Sequence, residues 1–161
     1  MTTRRKPILA LLLASLSLSW ASFSLAQGGA PTPPSEEYIP RLGDIMNAIQ
    51  TRHIKLWYAG KAGNWDLAAY ELRQLKEGLV EAARLYAGIP VSNVTTMGAP
   101  VQSVEDAIFA KDVVRFSKTF AGLTDACNGC HGAMARSFIV IRTPVELQPF
   151  GDQQFSPQRK P

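Results

Sequence analysis

The segment Asp112–Met134, DVVRFSKTFAGLTDACNGCHGAM, decides the fold reading. Val113, Phe116, Phe120, Leu123, Cys127, Cys130 and Met134 recur at steps of mostly three and four over about six turns, the rhythm of a helix with one buried stripe. Asp112 precedes the first apolar residue, where its carboxylate can cap free backbone N–H groups. Two upstream stretches repeat the pattern. Leu42, Met46, Ile49, His53, Leu56 and Gly60 share one face of a helix that starts near Ser35–Arg41 and closes at Gly60–Gly63. Asn64 then caps a second helix, along which Trp65, Ala68, Leu72, Leu75, Leu79, Ala82 and Tyr86 form the inward stripe. Gly88-Ile89-Pro90 stops it by the usual sequence of glycine and then proline.

Between these helices the reading is sparser. Ser92–Pro100 reads as loop, and Val101, Val104 and Ile108 as a short helix. Gly78 either marks a close helix crossing or is simply tolerated. No segment sustains period-two alternation, although Phe138–Ile141 (FIVI) suits a short extended piece. The patterns together imply an all-α fold, an antiparallel four-helix bundle with a short third helix and an irregular C-terminal tail.

The ends divide the chain further. Arg4, Arg5 and Lys6, the aliphatic run Ile8–Leu18 and the small residues Ser24 and Ala26 read as a signal peptide over residues 1–26, removed before Gln27. Residues 27–35 form a Gly/Pro-rich flexible lead-in, 36–137 the bundle, and 138–161 the tail, with partial packing of the tail expected. Three of the 17 basic residues and none of the 13 acids lie in the leader, so the mature chain holds 14 against 13. That near-neutral balance leaves no basic face for nucleic acid. No second apolar run approaches the length that spans a bilayer, so no membrane insertion of the mature chain is expected.

The only two cysteines stand in Cys127-Asn128-Gly129-Cys130-His131, C-x-x-C-H. This is the spacing of covalent haem attachment. Two thiols one turn apart each bond a vinyl group of the porphyrin, and the next imidazole lies under the iron. A disulfide here would close a tiny loop and stabilise little. A thioredoxin-type pair needs a βαβ setting, and zinc needs more ligands than a second histidine 78 residues upstream supplies. The reading is one haem c, with Cys127 and Cys130 as thioethers and His131 as the proximal iron ligand. The other ring nitrogen of His131 is expected to donate to a backbone carbonyl or a water.

For the sixth iron position three alternatives stand: Met46, His53 or an open site. Met46 and His53 share the inward face of the first helix but lie about 10.5 Å apart along its axis. In an up-down bundle the end of the last helix lies beside the start of the first, which puts Met46 nearer the level of His131. Met46 as core filler and His53 as a core or propionate-contacting histidine are the plainer readings of both. Met97 falls in the expected loop, and Met134 lies one turn past His131 on the same side; neither is favoured.

With a leader, a four-helix pattern and one C-x-x-C-H late in the last helix, the chain resembles the cytochrome c′ group and its low-spin Met-ligated relatives. The resemblance covers about Tyr38–Met134, and its specific residues are Cys127, Cys130 and His131. It implies a sixth-position residue from the first helix, where Met46 stands, an arginine shortly before it, where Arg41 stands one residue farther off than the group's spacing, and a histidine about two turns on, which His53 resembles. The short third helix and the long tail depart from the group.

One-electron transfer in the periplasm through a His/Met-ligated haem is the expected function, with redox proteins as partners and a homodimer allowed by the resemblance. The alternative is a five-coordinate haem that binds or senses NO or CO. A haem-bearing subunit of a larger redox enzyme is a third reading. No paired carboxylates and no nucleophile–base set accompany the motif, so no catalytic residues are assigned and the chain is not expected to be an enzyme itself. Arg52, Lys55 and Lys61 offer a modest docking patch, or only a solvated helix face.

Overall fold

Three long stripes of apolar residues and one shorter one bury each other in the computed structural model, which describes residues 38–89, 91–145, 150 and 153–157. The leader and the lead-in up to Ser35 lie outside the described residues. The helices are α1 Leu42–Lys61, α2 Trp65–Leu85, α3 Val91–Thr96, α4 Gly98–Phe109 and α5 Val113–Ala133. α3 and α4 together make the third leg of an antiparallel four-helix bundle. α1 packs on α2 and α5, and α4 packs on α5 and α2.

The caps fall where the side chains supply them. Asn64 Oδ1 accepts from the Leu67 N–H at 3.2 Å, and Asp112 Oδ1 accepts from both Val114 and Arg115 at 2.9 Å. The Tyr86 hydroxyl donates to the Pro40 carbonyl at 2.6 Å and ties the end of α2 to the chain entering α1. The expected loop Ser92–Pro100 requires correction. α3 occupies its first half, and α4 begins at Gly98. Pro100 is no breaker there, because it sits in the first turn of α4, where an N–H has no intrahelical partner to lose.

Phe116 and Phe120 of α5 form the centre of the core, fully buried with Leu56, Leu75, Leu123 and Val104. Each such side chain contributes about 1.5–3 kcal/mol by leaving water. Trp57 lies 5.0 Å from Phe120 between ring centroids, and Trp65 meets Phe116 edge-on at 6.1 Å. Two glycines let helices approach. A Cβ on Gly78 would stand 2.8 Å from Ile49 Cγ1, so this glycine does mark a close α1–α2 crossing. A Cβ on Gly60 would collide with the Phe116 ring. Buried Glu71 is held by Arg52 at 3.1 Å across the same α1–α2 seam, an arrangement that tolerates the carboxylate only while the partner stays.

Part of the tail packs. Phe155 is buried against Tyr58, with ring centroids 5.7 Å apart, and Lys55 Nζ lies 4.7 Å above the Phe150 ring. Phe138 and Val140 remain exposed. Among the described residues no helix is long and apolar enough to cross a membrane.

Gly60→Ala should lower stability by about 1–3 kcal/mol through overpacking against Phe116. Gly122→Ala, on an exposed turn of α5 with nothing near its Cβ, should raise it by about 0.5–1 kcal/mol. Urea unfolding midpoints check both.

Candidate functional site

The rotation of α5 is set by Phe116, Phe120 and Leu123, all fully buried. Continuing that stripe turns Cys127, Cys130, His131 and Met134 toward one cavity of about 410 Å³, within the usual range of small-molecule sites, about 300–1,000 Å³. α1 contributes Leu42, Met46, Ile49 and His53 to its wall. Leu79 and Ala82 of α2 line another side, with Val94 and Met97 from the third leg. All five residues singled out from the sequence therefore meet at one place. Arg41 is exposed at the head of α1 and does not reach the wall.

α5 ends in a turn that brings the chain back. The Arg136 N–H donates to the His131 carbonyl at 2.7 Å and the Ala135 N–H to the Gly132 carbonyl at 3.1 Å. This is the paired C-terminal cap that normally places glycine in the left-handed conformation; here Ala135 takes it, at φ 54°. The returning segment runs back past the last turn of the helix. His131 Nδ1 lies 2.9 Å from the Ile139 carbonyl oxygen, which can only accept, so Nδ1–H donates there and in the neutral ring Nε2 keeps its lone pair. Asn128, inside the motif, bonds both backbone groups of Ile141. Its Nδ2 donates to the Ile141 carbonyl at 2.9 Å, and its Oδ1 accepts the Ile141 N–H at 2.8 Å. Ile139 and Ile141 thereby close one side of the cavity, and among the described residues Arg136 is the one Lys, Arg, Asp or Glu on its wall.

Cys127 and Cys130 are free thiols. Burial pushes Cys127 up to about 11, reinforced by the nearby Cys130 and opposed by a backbone hydrogen bond, and burial raises Cys130 too. Both are protonated at neutral pH, the opposite of the low-pKa thiolate that a dithiol redox pair uses.

His53 is buried, with Nε2 2.9 Å from Thr124 Oγ1. The Thr124 hydroxyl donates its one proton to the Phe120 carbonyl at 3.0 Å, so it accepts from His53 Nε2–H. Nδ1 is sealed from water and has no hydrogen-bond partner among the described residues, and the Phe120 ring lies 4.5 Å away. Burial lowers the His53 pKa from 6.5 to about 4. Met97, disfavoured above as a residue of the expected loop, is instead buried at the α3–α4 junction and lines the cavity. Asn128 and Arg136 carried no sequence signal, and the bonds from Asn128 to the expected extended piece at Ile141 join distant positions without any period.

No protein-family model matches this chain, and neither a curated protein nor a solved structure matches it.

The depressed pKa of His53 sets an acid limit. As pH falls, the unfolded chain takes up this proton from about 6.5, and the folded chain only near 4. The stabilisation is full above pH 6.5 and is lost as pH falls through that window, about 2–3 kcal/mol by pH 4. His53→Gln, which keeps a donor for Thr124, should show that much less loss of stability between pH 7 and pH 4 in urea titrations.

Proposed function

We propose that this chain is an exported monohaem c-type cytochrome that transfers single electrons. One observation carries the reading: Cys127, Cys130 and His131 of the C-x-x-C-H motif all line one largely apolar cavity, with His131 Nδ1 engaged by the Ile139 carbonyl. The residues fit a covalently held haem. Cys127 and Cys130 would hold it by thioethers, and His131 Nε2 is the free donor for its iron. When bound, the haem supplies one-electron exchange at its iron, and a His/Met ligand pair favours a raised potential. The protein's part is to hold, orient and exclude water.

Met46 is the sixth-position residue in this reading. Met46 lines the cavity from α1, whereas His53 Nε2 is committed to Thr124 and Nδ1 is buried from water. Leu42, Ile49, Leu79 and Ile89 exclude water from the remaining wall. Arg136, with Asn47 and Gln50 on the same wall, suits the anionic propionates. The leader at residues 1–26 belongs to the same proposal, because it directs the chain to the periplasm, where c-type attachment takes place. The resemblance to the cytochrome c′ group and docking with redox proteins are part of the proposal as well.

The haem-loaded protein should be low-spin in the ferric state, with the weak charge-transfer band of Met–iron coordination. Met46→Ala should abolish that band. Its loss in Met97→Ala alone would move the ligand to the α3–α4 junction, and its loss in His53→Ala alone would move it to His53. A high-spin ferric spectrum with rapid carbon monoxide binding in the unaltered protein would contradict electron transfer and favour gas binding.

A further inference from the structure

We propose that Asn128 is a positioning residue for His131, acting through the chain's own returning strap, residues 136–141. The proposal rests on the haem reading of the site. Chemically, the two residues between the cysteines are free, since attachment uses only the thiols and the imidazole. Asn128 is nevertheless bonded to Ile141 at both ends of its amide, by donation to the carbonyl at 2.9 Å and acceptance from the N–H at 2.8 Å. That is the pairing a neighbouring strand residue would make, supplied by a side chain.

The strap is held at its other end by the helix cap, with Arg136 N–H on the His131 carbonyl at 2.7 Å and Ile139 N–H on the Arg136 carbonyl at 2.8 Å. Between these anchors the Ile139 carbonyl meets His131 Nδ1 at 2.9 Å. The cap alone leaves the segment beyond Ile139 without a tether to the motif. The Asn128 amide closes the loop, so that one residue of the motif orients another through a third segment of chain. A carbonyl held on Nδ1–H fixes the tautomer and the ring plane and makes Nε2 a stronger donor. A stronger donor favours the ferric state and lowers the reduction potential.

Two substitutions break the link from opposite sides. Asn128→Ala removes the amide, and Ile141→Pro removes the N–H that it accepts together with the Ile141 side chain on the cavity wall. The full-length, haem-loaded protein is used, with two readouts: the midpoint potential from a spectroelectrochemical titration, and solvent exchange of the His131 Nδ1 proton by NMR. Asn128→Ala should shift the potential upward and speed the Nδ1 proton exchange about tenfold or more, as expected on losing two hydrogen bonds. Ile141→Pro should shift both readouts in the same direction. The double variant should move no farther than the larger single effect, because both act on one link. If both variants keep the original potential and exchange rate while losing only thermal stability, Asn128 is structural and the proposal fails. A purified protein without covalent haem would sink the haem reading instead. Proton exchange at His131 would still decide whether Asn128 positions it.

Discussion

The packing of Phe116 and Phe120 against α1 fixes how far α5 is rotated about its own axis, and the site depends on that angle. Both rings are fully buried, and Phe116 rests where Gly60 leaves the α1 backbone bare. Along a helix, residues three and four apart share a face. Once Phe116, Phe120 and Leu123 point inward, Cys127 and Cys130 follow, and His131 comes to the cavity edge. Thr124 sits on the buried side of the same turn and takes His53 as its partner. The chemistry at the end of α5 is therefore aimed by hydrophobic contacts several turns earlier.

The second constraint is the return of the chain after Ala135. A helix end leaves carbonyls unsatisfied, and here the cap that satisfies two of them also reverses direction. An alanine at a left-handed position carries a strain that glycine would avoid. It persists because the reversed segment is bonded to Asn128 and His131 and covers the cavity with Ile139 and Ile141. The half-exposed run Phe138–Ile141 is thus a wall on one side and open surface on the other.

Much of this could be read from residue spacing. Burial on one side of a helix imposes a three-four rhythm, so α1, α2 and α5 announce themselves, and Asn64 and Asp112 mark two helix starts by short-range capping. The motif at Cys127–His131 is local too, and Met46 and His53 follow from the α1 stripe. What escaped reading depends on the third dimension. Pro100 looks like a breaker until its place in a first turn is known. Met97 looks like a loop residue for the same reason, and is buried. A cap built on Ala135 lacks the glycine that would flag it. The bonds from Asn128 and His131 to the strap link a side chain to a backbone 13 and 8 residues away, a relation with no sequence period. His53 illustrates the limit from the other side, since its position was legible, whereas the commitment of Nε2 to Thr124 required the packed α5.

We propose that the cavity beside α5 holds a covalently attached haem. Mass spectrometry of the chain, expressed with its leader in a host equipped for c-type attachment, tests it most directly. The peptide containing Cys127, Cys130 and His131 should carry one haem through two thioether bonds, and residues 1–26 should be gone. Recovery of that peptide with both thiols free, or joined to each other as a disulfide, from folded protein would contradict it.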